Sequence, residues 1–429
     1  MTVSKERFAL IYLILLSLSI YSPKFGTLDR MSIQFFLLSL SNFLAIISFP
    51  FVFKIQKIEL KELFRNKLII AYSGLILISI LSLIKSINIV ESLVKLNQLF
   101  VFLISLLILI FLSSQKYITK ITILWIIFIS LIIDIMFSLY PLYDLIINDI
   151  DYQYRFVTNF VGLAGNRNIL ALSILFRIPL IIYFGFIVKN KALKTLILIA
   201  LIISFFNIYI LSSRAALLGV ILSVGFALLL IIVKNAYNFR KERRHLVFFL
   251  IIPIIISLII SSSVTAPSDR ADVGNRVTSI VSDNDESINS RYRFWSHALD
   301  FISENPLLGG GIGTWKIYSI KYDSANIKSY IVPYSAHNDF LEYTAETGIF
   351  GGLMFLSFFI ILFWIILKAI RFKKYDFDFM LAFTLLLPFL IYFIDLNLNF
   401  PSSRPRNLFL LLLFISLITQ ILNEKHEDI

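Results

Sequence analysis

The chain has 429 residues, is 58% hydrophobic and only 15% charged, and has a mean hydropathy of +0.86. A soluble domain carries roughly a quarter charged residues, so a soluble globular protein is excluded. With no cysteine, disulfides, thiolate nucleophiles and thiolate metal sites are excluded too. The formal net charge of +12 follows a membrane topology and forms no nucleic-acid-binding patch, so no nucleic acid is expected.

Apolar residues come in long runs such as Leu10–Ile20, Leu99–Leu112, Ile197–Ile210, Val220–Val233 and Leu408–Ile421. About 20 such residues cross the hydrocarbon core as a helix. In chain order the predicted spans lie near 8–21, 32–53, 67–84, 95–113, 118–140, 166–188, 193–210, 214–233, 246–263, 347–367, 379–398 and 406–422. The first lacks a clear small-residue cleavage site and is kept as a span. The fold class is therefore an all-α integral membrane protein with about a dozen spans. Residues 1–263 hold spans one to nine. Residues 264–346 form a large extracytoplasmic loop with short amphipathic helices, and 347–429 hold the last three spans and a cytoplasmic tail.

Charge orients the chain. With the N-terminus cytoplasmic, the inner segments carry 16 Lys and 6 Arg, and the remainder carries 6 Lys and 11 Arg. The positive-inside rule then places both termini in the cytoplasm and the 264–346 loop outside. Lysine suffices for that rule, whereas arginine grips phosphate with paired, permanently charged donors. The outer arginine bias points to an anionic, phosphorylated ligand. Chance and helix-end capping are the plainer explanation.

Arg177 falls mid-span, where an arginine must snorkel, pair or face a polar cavity. Arg214, in Ser212-Ser213-Arg214-Ala215, opens a span on the outer side, and Gly165-Asn166-Arg167-Asn168 opens another. Free backbone N–H groups at such helix starts attract anions. Asp134 and Asp395, near outer membrane ends, are candidate partners for these arginines. In the loop, residues 264–289 are polar and expected to be irregular. An amphipathic helix follows over Arg291–Ser303, with Trp295, Leu299 and Ile302 on one face and Arg293 and His297 four apart on another. Gly309-Gly310-Gly311-Ile312-Gly313 makes a tight turn. Of four histidines, His297 and His337 are outside. His337 sits beside Asn338, Asp339 and Glu342 at the membrane edge, where a base titrating near neutrality suits proton removal from a sugar hydroxyl. A purely structural histidine is the alternative.

Other patterns fail. No Gly-Lys-Ser/Thr follows the glycine cluster, so it is no lysine-bearing phosphate loop. Asp283-Asn284-Asp285 resembles a nucleotide-sugar metal motif but lies outside, where nucleotide sugars are not supplied. Two outer histidines without thiolates make a poor zinc site. Neither metal nor other cofactor is expected.

Ser213-Arg214-Ala215 opening a span, Arg291 and Trp295 leading to Asn305-Pro306-Leu307-Leu308-Gly309-Gly310-Gly311, then His337-Asn338 and Glu346-Thr347-Gly348-Ile349-Phe350-Gly351 recur in this order. In this set the chain resembles the O-antigen ligase-like membrane proteins, which include O-antigen ligases, O-antigen polymerases and protein O-oligosaccharyltransferases. The resemblance covers residues 160–365. It implies a GT-C-like, metal-independent, inverting transferase in the bacterial cytoplasmic membrane. Its donor would be an undecaprenyl-diphosphate-linked glycan, and its acceptor lipid A-core, a growing glycan or protein. It assigns Arg214 and Arg291 to the diphosphate and His337 to the acceptor or leaving group. Arg167, Arg177, Arg293, Asn338 and Arg404 complete the expected site. The rival is a flippase for lipid-linked oligosaccharide. Transporters of this size usually show two similar halves, and none is visible.

Overall fold

The computed structural model describes residues 4–23, 25–26, 29–54, 57–148, 161–211, 213–235, 245, 247–264, 286–327, 334–372 and 377–423. All its regular structure there is helical: α1 (Lys5–Ile20), α2 (Arg30–Val52), α3 (Lys57–Phe64), α4 (Lys67–Ser82), α5 (Ile89–Ser114), α6 (Lys120–Asn148), α7 (Arg167–Ile187), α8 (Lys191–Leu211), α9 (Arg214–Asn235), α10 (Ile252–Val264), α11 (Glu286–Glu304), α12 (Trp315–Tyr322), α13 (Asp339–Phe372), α14 (Phe377–Leu398) and α15 (Pro405–Asn423). Among the described residues nine helices are long and apolar enough to cross a membrane, with two shorter apolar ones at Ala215–Phe226 and Phe248–Ser262. The protein is a multi-pass, all-helical membrane protein.

The helices start where the sequence supplies a side-chain acceptor for the unpaired first N–H groups. Asp29, Asn66 and Asn88 cap α2, α4 and α5 in this way. The predicted spans fall on helices, but those near 8–21, 214–233 and 246–263 are not among the nine long enough to cross a membrane, and two boundaries also differ. The loop helix starts earlier than expected, at Glu286, so residues 286–289 are helical. The tenth span is longer than its apolar run, and α13 breaks at Gly348, where φ is 73°. The apolar run begins at that break.

The chain forms two compact units. The first comprises residues 1–123, 286–372 and 396–429, so the loop helices belong with spans from both ends of the chain. Polar side chains tie its helices, because membrane-buried polar groups have no water to bond to. The Tyr12 hydroxyl donates to Asn42 Oδ1 (2.7 Å), which also accepts from Ser105 (3.0 Å), while Asn42 Nδ2 donates to the Val101 carbonyl (2.9 Å). The bonds join α1, α2 and α5. Where α4 meets α13, Gly74 leaves room for the Met354 side chain, and Gly351 for that of Thr347.

The second unit comprises residues 124–285 and 373–395. Its centre is α7, where Arg177 is fully buried. Arg177 Nη2 donates to Asp134 Oδ2 at 2.5 Å and to Ser173 Oγ at 3.0 Å, Nη1 to Ser130 Oγ at 3.2 Å, and Nε to the Ser173 carbonyl at 3.0 Å. Removing one member of a buried ion pair strands the other charge, at a cost of about 3–5 kcal/mol, whereas replacing both with apolar residues removes the desolvation term. Asp134→Asn is therefore expected to lower thermal stability in detergent sharply. Asp134→Leu with Arg177→Met should recover most of it, and equal instability of single and double variants would contradict the pairing.

Candidate functional site

The loop is docked by its own backbone. The left-handed turn at Gly348 frees the carbonyls before it, and two glycine N–H groups take them: Gly310 donates to Ala345 (3.0 Å) and Gly311 to Glu346 (2.9 Å). Ile349 N–H donates back to the Pro306 carbonyl at 2.9 Å. A Cβ at Gly348 would stand 2.1 Å from the Leu307 carbonyl oxygen, and one at Gly309 would stand 2.4 Å from that of Ala345. The 309–313 turn is thus used for packing. Its other side meets the α4–α5 connection, where Ile312 N–H donates to Ser82 Oγ (3.0 Å) and Ser92 Oγ donates to the Ile312 carbonyl (2.5 Å). Glu346 is buried and accepts from Trp315 N–H at 3.1 Å, while its other oxygen has no partner.

This docking places α11 beside the turn that carries His337. Glu342 accepts from Ser335 Oγ (2.7 Å) and Ala336 N–H (3.0 Å), and the His337 N–H donates to Ser335 Oγ (3.2 Å). These bonds hold His337 at φ 53°, a left-handed conformation uncommon for a residue with a side chain. Asn338 is occupied as a cap, accepting from Leu341 N–H at 3.1 Å. The imidazole lies between Phe294 of α11 (ring centroids 6.1 Å apart) and Phe400 (5.2 Å). Its Nδ1 is buried and has no hydrogen-bond partner.

Burial pushes the His337 pKa down to about 4, helped by the charges of Arg291 and Arg404 and opposed by the Leu398 carbonyl. That corrects the expectation of a base titrating near neutrality, because the ring is neutral well below pH 6. Arg404 stands in the turn before α15 with its guanidinium 4.7 Å from the Phe400 ring centre, Nη1 against Met31 Sδ (3.0 Å), and a buried Nε without a partner. Burial lowers its pKa as well, against the pull of Asp29 and Asp339. The charges of Arg291 and Arg404 thus both act on His337, and all three residues belong to the first unit.

The other expected residues fall elsewhere. Arg214 opens α9 and Arg167 opens α7, both in the second unit. The N–H groups at the start of α7 are already taken, since Asn166 Oδ1 accepts from Asn168 (2.9 Å) and Ile169 (3.3 Å); they are not the open anion cradle expected. Arg177 is sequestered by Asp134, which removes it from the surface a ligand could reach. Arg293 is turned away from His337 into an ion pair with Asp323 (2.7 Å), and His297 stands 3.9 Å from the same carboxylate. Neither Arg177 nor Arg293 has its charge free for a ligand. Residues 283–285 lie outside the described residues, and among the described ones no three His, Asp or Glu side chains converge as a metal site.

Sequence reasoning missed the support of this site. Lys95 of α5 donates to Ser403 Oγ (2.9 Å) and lies 5.4 Å from the centre of the Tyr343 ring. Buried Asp339 accepts from the Ser402 N–H at 3.0 Å. Together they brace the Pro401–Ser403 turn that presents Phe400 and Arg404. Lys95 is the one charged residue in the predicted span near 95–113, and that was the available signal.

Among curated proteins no relative matches the chain significantly. Residues 199–356 match the family model described as O-antigen ligase. The match takes in α9, α11, α12, the docked glycine turn, His337 and the break at Gly348. Over that stretch, little more than a third of the chain, this multi-pass membrane protein carries an O-antigen ligase domain.

Proposed function

We propose that this protein transfers a glycan from an undecaprenyl-diphosphate-linked donor to an acceptor hydroxyl at the outer face of the bacterial cytoplasmic membrane, with both termini in the cytoplasm. The observation that carries the reading is the site around His337, where two arginines converge on an imidazole whose buried Nδ1 lacks a partner. Arg291 and Arg404 bind the donor diphosphate. The acceptor oxygen bonds to the anomeric carbon with inversion as the bond from that carbon to the diphosphate oxygen breaks. The electron pair leaves with the lipid diphosphate, which the arginines stabilise. His337 Nδ1 takes the acceptor proton and later releases it to water. Lipid A-core or a growing glycan is the acceptor class. No step needs a metal, and transfer should proceed in EDTA.

The pH profile tests the assignment. A base must be unprotonated, so activity is present above its pKa and lost as pH falls through it. With His337 held near 4 in the free protein, kcat/KM for glycan transfer should stay flat from pH 7 down to about pH 5. The bound diphosphate offsets the two arginine charges and raises this pKa, so the acid limb of kcat should lie higher than that of kcat/KM. A limb of kcat/KM at the ordinary imidazole value near 6.5 would contradict the buried, arginine-flanked base.

A further inference from the structure

Helix α11 has three sides. One is buried: Ala298 and Phe301 pack with Trp315, Ala336 and Ala345. The second is polar and faces α12, with Arg293 and His297 on Asp323, and Glu304 accepting from the Tyr322 hydroxyl at 2.6 Å. The third is apolar. Ile288, Tyr292, Trp295 and Leu299 recur at spacings of four, three and four, which aligns them along one edge of a helix. Tyr292 is 62% and Leu299 56% exposed, while Ile288 and Trp295 beside and between them are partly buried. The edge is therefore open at its two outermost side chains, while the other two sides are partnered.

The edge does not end with the helix. Leu307, 65% exposed, follows it, and its backbone lies against Gly348. From there exposed Ile349, Phe350 and Leu353 continue down the flank of α13, which is a membrane span. A continuous apolar strip therefore runs from lipid-facing residues of a span onto a helix outside it. Tyr and Trp are the residues that favour the headgroup boundary, and an amphipathic helix can lie there with one side in the acyl region. A glycan platform would set hydrogen-bonding groups among its aromatics. This edge instead carries Ile and Leu.

We propose that α11 lies in the surface of the bilayer on the loop's side, with the Ile288–Tyr292–Trp295–Leu299 edge and Leu307 inserted at the headgroup–acyl boundary. Arg291, next to this edge on the helix, is thereby held at headgroup level, where a lipid-borne phosphate would present itself. The placement rests on the fold alone and stands or falls separately from the transferase reading.

The chain has no cysteine, so single-cysteine spin labelling needs no prior substitution. Tyr292→Cys, Leu299→Cys and Leu307→Cys, with Ser296→Cys and Asp300→Cys, exposed where the apolar edge gives way to the polar side, would be labelled in the full-length protein reconstituted into phospholipid vesicles. Collision with oxygen, which concentrates in the bilayer, is compared with collision with water-soluble nickel-EDDA. Labels at 292, 299 and 307 should favour oxygen several-fold relative to those at 296 and 300. Equal nickel accessibility at all five positions would overturn the proposal, leaving the edge open to water or to a soluble glycan. Labels at 292 and 299 immobilised and shielded from both reagents would also overturn it, in favour of a second protein copy.

Discussion

His337→Ala is expected to abolish glycan transfer while leaving membrane abundance and donor binding largely intact. A positioned acid–base group contributes typically about 10²–10⁴-fold to rate, more than loss of an imidazole's packing would remove from a folded site. His337→Gln and His337→Asn separate chemistry from structure. Both can fill the space between Phe294 and Phe400, and Asn tolerates the left-handed backbone that His337 adopts at φ 53°. Neither amide accepts a proton near neutrality, so both should be as inactive as alanine. Near-normal transfer by His337→Gln, with the turn intact, would remove the histidine from the mechanism.

The second large effect belongs to the arginines. Arg291→Ala and Arg404→Ala should each weaken transfer by about ten- to a hundredfold, since a hydrogen bond between charged partners is worth about 1.5–3 kcal/mol. Lysine should rescue only partly, because it lacks the planar fork. Each loss should appear in the affinity for the lipid-diphosphate donor, and the double variant should lose binding altogether. A second signature distinguishes an electrostatic neighbour from a packing residue. Both arginines depress the His337 pKa, so removing either should move the acid limb of the residual kcat/KM upward. Undiminished donor affinity in both alanine variants would refute the diphosphate assignment.

How much of this was legible beforehand follows from the range of each interaction. The spans were legible because a bilayer demands long apolar runs, and those runs are local. The break in α13 coincides with the start of such a run at Gly348. His337 and Arg291 were visible as polar residues in an ordered set of short motifs. What those motifs could not reveal was pairing across the chain. Arg293 and Asp323 are 30 positions apart, and Lys95 and Ser403 are 308 apart. No periodicity links such residues. The low pKa of His337 is of the same kind, since it arises from burial and from arginines brought beside it by the fold, while its sequence neighbours Asp339 and Glu342 suggested the opposite. The glycine run, expected only as a tight turn, proved to be a backbone joint, because its N–H groups are taken by carbonyls released at Gly348.

One measurement bears most directly on the central claim. Purified protein in detergent, where the two sides of a membrane no longer exist and flipping has no meaning, would be given an undecaprenyl-diphosphate-linked glycan and candidate lipid A-core or glycan acceptors in the presence of EDTA. Transfer predicts that free undecaprenyl diphosphate and glycosylated acceptor accumulate in equal amounts, and that His337→Ala forms neither. Donor that binds but is recovered intact with every acceptor, while the same protein moves it across the bilayer of reconstituted vesicles, would contradict the account and identify a flippase.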